Sequence, residues 1–583
     1  MTTLAGGTTT PDASGSDRNR TATDSGGGGG AGGTGGTGRG GGGAGSEAAL
    51  RRDALTVLQP GFTGTTAPDW LLRRLGEGLA AVGLFGRNIA SPDQLAALTA
   101  QLRAEREDVL VAVDEEGGDV TRLEVRTGSS FPGNHALGAV DDVDLTREVA
   151  HELGRRLAAC GVNLNWAPSA DVNANPRNPV IGVRAFGADP HLVARHTAAY
   201  VTGLQSAGVA ACTKHFPGHG DTAVDSHHAL PRIDVDRTLL EQRELAPFRA
   251  AIAAGTQAIM SAHILVPTLD PSRPATLSPL ILTDLLRGRL GYDGLIITDG
   301  MEMQAIAGTY GIEQGTVLAI VAGADAICVG GGLSDDETVR SLRDALVTAV
   351  RTGTLPEERL ANAAERVRRL ATWTTSNGAG AEVGRGSGSE AGDEAGDGTP
   401  GGTASGTAAG TPAGAAAGTR GAATLSRTDI GLIAARRALT LTPATPYEPL
   451  TPLAEPPFVA AFTPVANIAV GDETPWGIAA ELHRLLPGTT TASFAGEDAG
   501  EAVLAAAGPR RIVAVVRDEH RHPWMASALD TLLRERPDTV VVEMGIPQAP
   551  PRGALHIATH GAARVCALAA AEALTGREHH RHP

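Results

Sequence analysis

The sequence predicts an α/β protein in which a (β/α)8 TIM-like barrel precedes a smaller α/β sandwich domain. Three observations predict this fold. In the first long block, eight short apolar runs alternate with longer amphipathic segments, and polar residues directly follow several of these runs. Two glycine-rich tracts separate the foldable parts of the 583-residue chain. Alternating strands and helices form parallel sheets, and barrel enzymes carry their functional groups at the carboxyl ends of the strands.

Glycine content sets the predicted domain boundaries. Many of the 76 glycines fall in two low-complexity stretches, which bury too little apolar surface to offset the entropy of ordering them. We therefore predict a disordered N-terminal segment at 1–45, a barrel domain at 46–373 and a Gly/Ala/Thr linker at 374–423. A second α/β domain follows at 424–576, and a His-rich tail at 577–583 closes the chain.

The elements of the barrel follow from hydrophobic periodicity. Predicted strands lie at 55–58, 82–85, 109–113, 162–166, 209–213, 258–262, 294–298 and 326–329. Predicted helices lie at 69–78, 92–106, 144–160, 191–207, 237–254, 279–290, 313–322, 335–352 and 356–372. An open doubly wound sheet is the alternative, but no glycine-rich dinucleotide fingerprint follows the first strand. In the second domain, strands are predicted at 458–462, 511–516 and 539–542.

Composition excludes several classes of function. The net charge of −16 argues against a nucleic-acid or anionic-membrane partner, and no apolar run approaches the ~20 residues of a membrane span. The first residues lack the basic and apolar regions of a secretory signal, so the expected compartment is the cytoplasm. The four cysteines are widely scattered, three of them beside apolar runs, which fits buried side chains and no disulfide framework. The sequence predicts no metal and no cofactor.

Polar residues follow predicted strands on what would be one rim of the barrel. They are Asp114, Asp171, Asn173, Lys214, His215, His263 and Asp299. Lys214 is the only lysine in the chain, although arginines are common. A site that needs a compact ammonium cannot use the planar fork of arginine, so this lysine indicates a functional position.

The loop KHFPGHGDTAVDSHHALP, residues 214–231, has the densest polar chemistry. Three interpretations compete with that of a solvated surface loop. His215, His219, His227 and His228 could bind a metal, although no HxH or HExxH pattern is present. Lys214 could form a Schiff base. Asp225 and His227, two residues apart, could form a dyad for general acid/base catalysis.

Two further segments have a structural alternative beside the functional one. Asp299 ends the run LIIT and could be a nucleophile, a metal ligand or only the N-cap of the next helix. Asp114 and Arg122 lie in VDEEGGDVTRL, which could equally be a hairpin with solvated charges.

The motifs KHFPGHGDTxxDSH, VDEEGGxVxR and the TDxxxM strand end, in this order and spacing, resemble the β-N-acetylglucosaminidase branch of glycoside hydrolase family 3. The resemblance covers the first block. The second block resembles the C-terminal α/β domain of two-domain members. The family commonly has Arg where this chain has Asp119.

The resemblance implies a role for each matching residue. Asp299 corresponds to the catalytic nucleophile, and His227, oriented by Asp225, to the acid/base. The residues that correspond to sugar-binding positions are Asp114, Arg122, Arg184, Lys214 and His215. The implied activity is that of a retaining exo-β-N-acetylglucosaminidase acting on terminal GlcNAc, with cytoplasmic peptidoglycan fragments as the expected substrate.

Two alternatives to this interpretation remain at the level of the sequence. An N-acetylglucosamine phosphorylase or another family 3 β-glycosidase is one, because a histidine acid/base repels phosphate less than a carboxylate does. A carbohydrate-binding protein without turnover is another.

In the second domain, the strand-end cluster 518–522 is expected to be a solvated loop.

Overall fold

The computed structural model describes residues 42–224, 230–331, 335–377, 429–444, 452–464, 470 and 473–577. The predicted dyad residues Asp225 and His227 lie outside this part of the chain, as do most of the predicted linker and of the N-terminal segment. A helix at Gly42–Thr56 begins inside the predicted N-terminal segment, and the helix Glu357–Asn377 runs a few residues into the predicted linker.

The first domain is built on a curled parallel sheet. Its strands are β1 (Leu58–Pro60), β2 (Ala81–Leu84), β3 (Leu110–Val113), β4 (Leu164–Asn165), β5 (Ala210–Phe216), β6 (Ala258–Ser261), β7 (Leu295–Thr298) and β8 (Ile327–Val329). Strands β2 to β7 pair in chain order, each parallel to the next. Seven of the eight predicted strands are therefore present with shifted ends, and the predicted first strand overlaps β1 only at Leu58.

The closed eight-stranded barrel that the sequence predicts is confirmed only in part. Strand β1 pairs with β8, and a single parallel bridge, Ile297 to Ala326, joins the end of the six-stranded sheet to this pair. Among the described residues, no ladder joins β1 to β2. Strand β1 is three residues long and ends at Pro60, which has no N–H to donate. The sequence also placed this strand too early, because the helix Gly42–Thr56 takes up most of the apolar run 55–58.

The two faces of the curled sheet bury different side chains. Val82, Val111 and Val113 point outward and pack under the surrounding helices. The inward positions combine small side chains, such as Ala112, Ala210 and Cys212, with large ones, such as Leu110, Leu164 and Ile297. The helix Glu357–Asn377 adds Val367, Leu370 and Ala371 to this inner core. These apolar side chains fill the inside of the curled sheet, and the polar groups of the first domain's cavity follow the strand ends.

Helices join the strands of the first domain, and all but Asn134–Val140 and Gln304–Tyr310, which the sequence did not predict, lie in the predicted places. They lie at Asp69–Glu77, Pro92–Glu105, Asn134–Val140, Val143–Ala159, Pro190–Ser206, Gln304–Tyr310, Ile312–Ala322, Asp336–Arg351 and Glu357–Asn377. The predicted helix 237–254 consists of Arg237–Leu239, a wider π-helical turn at Leu240–Glu244, and Leu245–Ala253. Pro247 explains the wider turn, because it cannot donate to the carbonyl four residues earlier. The predicted helix 279–290 is also π-helical, at Leu280–Arg289.

The second domain is a mixed six-stranded sheet with helices on both faces. Its strands are β9 (Thr440–Pro443), β10 (Phe458–Phe462), β11 (Thr490–Phe494), β12 (Ile512–Val516), β13 (Val540–Glu543) and β14 (Leu555–Ala558). They lie in the order β11-β10-β12-β13-β14-β9, and only β9 is antiparallel to its neighbour. Helices Ala479–Leu485 and Arg564–Thr575 cover one face, and Ala499–Ala507 and Pro523–Glu535 cover the other.

The helix Ile430–Ala438 packs between the two domains. Ala434 joins the core of the first domain, while Leu432 and Ala435 pack on Val565 and Cys566 of the second. Gly431 is required for this close approach, because a Cβ there would lie 2.1 Å from the Ser130 carbonyl oxygen. The domains are therefore joined by a packed element as well as by loops.

Within the described part of the chain, no single helix has the length and apolar composition to cross a membrane. Only the helices Gln304–Tyr310 and Ile312–Ala322, bent by 106° to each other, meet these two criteria as a pair.

Candidate active site

A cavity of about 500 Å³ opens at the carboxyl ends of the first domain's strands. Its lining residues are Phe85, Asp114, Arg122, Trp166, Val180, Ile181, Arg184, Lys214, His215, His219, Met260, Asp299, Gly300, Glu302, Met303, Gln304, Cys328 and Gly331. Every described residue that the sequence assigned to the site lies here. The structure therefore brings together residues that are up to 185 positions apart in the chain, from Asp114 to Asp299.

Lys214 lies at the centre of the polar side of the cavity. Its side chain is 3% exposed, and its Nζ contacts Asp114 Oδ1 and lies 2.6 Å from Glu116 Oε1. Burial alone would lower the pKa of Lys214, but the charges of Asp114 and Glu116 outweigh it and raise the pKa above its ordinary value. Lys214 is therefore a fixed ammonium. This argues against the Schiff-base interpretation, because a nucleophilic lysine needs a lowered pKa.

Glu116 is a functional residue that the sequence analysis missed. Its two carboxylate oxygens accept from Arg184, at 3.0 Å from Nε and 2.7 Å from Nη2. Burial would raise the pKa of Glu116, but Arg184 and Lys214 hold it well below its usual range. The same contact raises the pKa of Arg184 against the effect of its burial. The sequence VDEEGG gives no reason to choose Glu116 over Glu115, because their roles differ only through the direction in which each side chain points.

The segment VDEEGGDVTRL forms a hairpin, but its charges are not solvated as the structural alternative supposed. Gly117 and Val120 form an antiparallel bridge, and both glycines have positive φ. Glu115 is buried and accepts from the backbone N–H groups of Arg122 and Leu123, at 2.6 and 2.8 Å. Burial raises the pKa of Glu115 to about 7. These bonds place Arg122, whose Nη2 lies 3.3 Å from Asp114 Oδ2, at the cavity wall.

His215 is oriented by Asp171, which follows β4. The His215 Nδ1 and Asp171 Oδ2 atoms are 2.7 Å apart, and the other Asp171 oxygen accepts from the His219 backbone N–H at 2.7 Å. Burial would raise the pKa of Asp171, but His215 and His219 lower it to about 2. Because Asp171 occupies Nδ1, the Nε2 atom of His215 faces the cavity.

His219 also lines the cavity, and it is neutral at physiological pH. Burial, reinforced by His215, lowers its pKa to about 4. Its Nδ1 lies 3.1 Å from Thr222 Oγ1. Within the described ranges, no group of three or more His, Cys, Asp or Glu residues is arranged to hold a metal ion.

Asp299 directly follows β7 at the mouth of the cavity. Its backbone N–H donates to the Ser261 carbonyl, and its Oδ1 accepts from the Gly300 N–H at 2.8 Å. The helix-cap interpretation is wrong, because the next helix, Gln304–Tyr310, begins after Met303. The predicted strand-end residue His263 is fully buried behind this site, between Thr276 and the Gly300 carbonyl oxygen. His263 therefore supports the turn at Asp299 and does not line the cavity.

The other side of the cavity is apolar. Phe85, Trp166, Met260 and Cys328 form it, with the rings of Phe85 and Trp166 5.9 Å apart. Trp166 is buried, and its Nε1–H has no hydrogen-bond partner in the described structure. A cavity with one apolar and one charged side suits a sugar ring, which has hydroxyls at its rim and carbon–hydrogen faces.

The cluster 518–522 of the second domain also faces the first domain, so the solvated-loop interpretation is wrong. Glu519 is buried and pairs with Arg552 at 2.6 Å. His520 Nε2 lies 2.9 Å from the carbonyl oxygen of Pro176 in the first domain.

A family comparison matches this architecture. The Glycosyl hydrolase family 3 N terminal domain matches residues 68–370, which is just over half of the chain. The chain belongs to glycosyl hydrolase family 3. It is a glycoside hydrolase, and the resemblance seen in its motifs is confirmed.

Two curated relatives share this domain. Beta-hexosaminidase A of Pseudoalteromonas piscicida is 36% identical over 346 residues, which cover 55% of this chain and 56% of the relative. The chain thus spans little more than half the length of that protein. A beta-hexosaminidase of Chromobacterium violaceum is 40% identical over 258 residues, 43% of this chain and 71% of the relative.

Among the solved structures similar to this chain is one that covers both domains. It is a glycoside hydrolase family 3 beta-N-acetylglucosaminidase from Paenibacillus sp. str. FPU-7, with 32% identity and a TM-score of 0.74. The match covers 90% of this chain and 96% of that protein.

Proposed function

We propose that this glycoside hydrolase is a retaining exo-β-N-acetylglucosaminidase that removes terminal GlcNAc from glycans. The observation that carries the proposal is the position of Asp299 in the same cavity as Asp114 and Lys214, where Lys214 is held by Asp114 and Glu116. The similarity to beta-hexosaminidases and to a beta-N-acetylglucosaminidase supports this substrate class.

The charged cluster binds the sugar. Asp114, Arg122, Arg184, Lys214 and His215 present fixed donors and acceptors to the hydroxyl groups. Because these groups are buried and already paired with one another, they need little reorganisation when the substrate enters. The apolar wall formed by Phe85, Trp166 and Met260 packs against the carbon–hydrogen face of the ring.

Cleavage proceeds in two steps. The Asp299 carboxylate attacks the anomeric carbon, the bond to the aglycone breaks, and His227 gives its proton to the leaving oxygen while Asp225 stabilises the imidazolium. In the second step, His227 takes a proton from water, the water oxygen attacks the anomeric carbon, and Asp299 is released. Two inversions give net retention. The roles of His227 and Asp225 rest on the sequence motif alone.

Trapping of the intermediate tests the proposal. A 2-fluoro sugar slows the second step, so mass spectrometry of the digested protein should find the sugar on Asp299. Asp299→Asn should reduce turnover of an aryl β-GlcNAc substrate by at least about 10³, because the nucleophile is lost. Asp284→Asn, which alters an exposed aspartate, is the matched control and should keep full activity.

Two results would overturn the proposal. One is labelling of a carboxylate other than Asp299, and the other is full activity in Asp299→Asn. Product analysis with and without phosphate distinguishes hydrolysis from phosphorolysis, since only phosphorolysis gives a sugar phosphate. The natural source of the substrate, expected from the sequence to be cytoplasmic peptidoglycan fragments, stays a prediction.

A further inference from the structure

Two loops of the first domain carry most of the charged cavity wall. The first loop, residues 114–131, supplies Asp114 and Arg122 to the wall, and its Glu116 pairs with the wall residues Arg184 and Lys214. The second loop, residues 173–187, supplies Arg184 together with Val180 and Ile181. Both loops also contact the second domain on their side away from the cavity, so that domain is placed to set their positions.

Asp119 fastens the first loop to the second domain. Its side chain is 1% exposed, its Oδ2 pairs with Arg517, and its Oδ1 accepts from the Ala562 N–H at 2.7 Å. Both partners belong to the second domain. An unpaired carboxylate is costly to bury, so both Asp119 oxygens need their partners. The contact therefore holds Asp119 in one position relative to the second domain.

The position of Asp119 is transmitted to the cavity through short backbone links. The N–H of Glu116 donates to the carbonyl of Val120, the residue after Asp119, at 3.1 Å. The N–H of Gly118, the residue before Asp119, donates to the Phe131 carbonyl at 3.0 Å. Asp119 thus lies at the tip of a braced hairpin. One end of the hairpin holds Arg122 in the cavity wall, and the other holds Glu116 against Arg184.

Arg517, the partner of Asp119, is itself held in place. It directly follows β12, its guanidinium carbon lies 5.9 Å from the ring centre of Trp476, and its side chain is 13% exposed. A residue at the end of a central strand is a rigid anchor, since the strand is hydrogen-bonded on both sides.

The second loop has contacts to the same strand ends. His520, three residues after Arg517, contacts the Pro176 carbonyl oxygen at 2.9 Å. Ile546, which follows β13, lies 3.9 Å from the position that a Cβ of Gly182 would take. Gly182 is two residues before Arg184, which pairs with Glu116 of the first loop. The two braced loops therefore meet at the Glu116–Arg184 pair.

We propose that Arg517 and Asp119 are a positioning pair through which the second domain sets the geometry of the sugar-binding residues Arg122 and Arg184, the latter through its partner Glu116. The inference rests on the proposed function of the cavity. Neither residue lines the cavity, so the pair acts on substrate capture through the loops and takes no part in bond cleavage.

The kinetic test uses the full chain and an aryl β-GlcNAc substrate. Arg517→Gln should raise KM about tenfold and change kcat by less than about twofold, because misplaced binding residues weaken ground state and transition state alike. Asp119→Asn should give the same pattern, and the double variant should be no worse than the stronger single variant, since the two residues act as one unit. Arg517→Lys keeps the charge and should recover part of the loss in KM.

Arg437→Gln is the matched control. It removes another ion pair between the domains, Arg437 to Asp142 at 2.8 Å, which lies on the interdomain helix and not on either loop. Both kinetic constants should stay at their wild-type values. If Arg517→Gln is folded and its KM matches that of Arg437→Gln, the positioning role is wrong. If Arg517→Gln does not fold, the KM values of Arg517→Lys and His520→Ala are compared with that of Arg437→Gln instead. KM values equal to that of the control would then show that the positioning role is wrong.

Hydrogen exchange tests the positioning role without activity. Amides of residues 115–131 should exchange faster in Arg517→Gln than in the wild type, and at the wild-type rate in Arg437→Gln. Unchanged exchange in Arg517→Gln would overturn the inference. A wild-type chain that cleaves no β-GlcNAc substrate would instead overturn the proposed function, and the exchange experiment would still decide the positioning role.

Discussion

At the scale of single residues, the active site is an arrangement of buried charges that neutralise one another. Lys214 lies between Asp114 and Glu116, and Glu116 in turn pairs with Arg184. Unpaired charges at this depth would cost several kcal/mol each, so each member of the cluster needs its neighbours. The consequence is a polar wall that is rigid before the substrate arrives.

The single lysine allows a direct test of this arrangement. Amine-selective reagents attack the neutral amine, and Lys214 is both buried and held as an ammonium by two carboxylates. At neutral pH, such a reagent should label the α-amino group of the native protein and leave Lys214 unmodified, even without a sugar ligand. In denaturant, both amines should react, and peptide mass spectrometry measures the two yields.

Substitution of Lys214 complements the labelling. Lys214→Arg should lower kcat/KM by about 10–100-fold, because a planar fork cannot replace a compact ammonium between two buried carboxylates. Lys214→Met should be less stable than Lys214→Arg by roughly 3–5 kcal/mol, since it leaves those carboxylates without their cation. Rapid labelling of native Lys214, with full activity in Lys214→Arg, would show that the lysine is not part of a closed site.

At the scale of elements, the sequence predicts the strand order and the residues at the strand ends, because both follow from local apolar runs. It misses β9, β11 and β14 of the second domain. The runs TLTP and TTASF belong to edge strands with exposed positions, and LHIA carries a histidine, so none has the pattern of a buried strand. The closure of the first sheet between β1 and β2 stays a prediction.

The roles of individual side chains within a loop also escape prediction. Glu115 and Glu116 are adjacent and identical, yet one holds the hairpin backbone and the other pairs with Arg184. Asp119 has the composition of a turn residue, but its partners lie 398 and 443 positions later in the chain. Such pairings depend on tertiary contacts that no local pattern encodes.

Strand β2 gives a test at this scale. A Cβ on Gly83 would lie 2.8 Å from the Trp166 ring, so Gly83→Ala must displace the apolar wall of the cavity. We expect kcat/KM to fall by roughly tenfold, because a shift of this kind misplaces the bound ring. Gly288→Ala is the matched control: its Cβ would meet only ordinary contact, 3.5 Å from the Thr283 carbonyl oxygen, so activity should not change. Equal activity of the two variants would mean that Trp166 does not shape the site.

At the scale of the whole molecule, the two domains meet through buried polar groups as well as through the packed helix Ile430–Ala438. Asp119 and Arg517 form one such contact. Another joins His135 of the first domain to His560 of the second, whose rings stack at 5.3 Å. Thr440 of the second domain lies 3.1 Å from His560 Nε2. Because both domains contribute a histidine to this stack, the stability of the domain interface depends on the protonation of His135 and His560.

The His135–His560 stack predicts how the protein responds to acid. Burial, together with His560, lowers the pKa of His135 to about 4, although Asp518 partly opposes this effect. Burial also lowers the pKa of His560 to about 4. In the unfolded chain both imidazoles titrate near 6.5. Between about pH 6.5 and 4, the unfolded state therefore binds more protons than the folded state. The contribution of each histidine to stability is complete above pH 6.5 and is lost as the pH falls through this window.

His135→Phe isolates this effect, because it keeps an aromatic ring in the stack and removes one titrating group. Buried carboxyls act in the opposite direction: burial raises the pKa of Glu543 to about 8, so its neutral form favours the folded state at low pH. The difference between variant and wild type cancels such shared contributions. Between pH 7 and 4.5, the free energy of unfolding measured with urea should fall in the wild type by about 2 kcal/mol more than in His135→Phe. Parallel pH profiles would show that His135 takes up its proton as readily in the folded chain as in the unfolded one, and that the stack does not make the domain interface sensitive to acid.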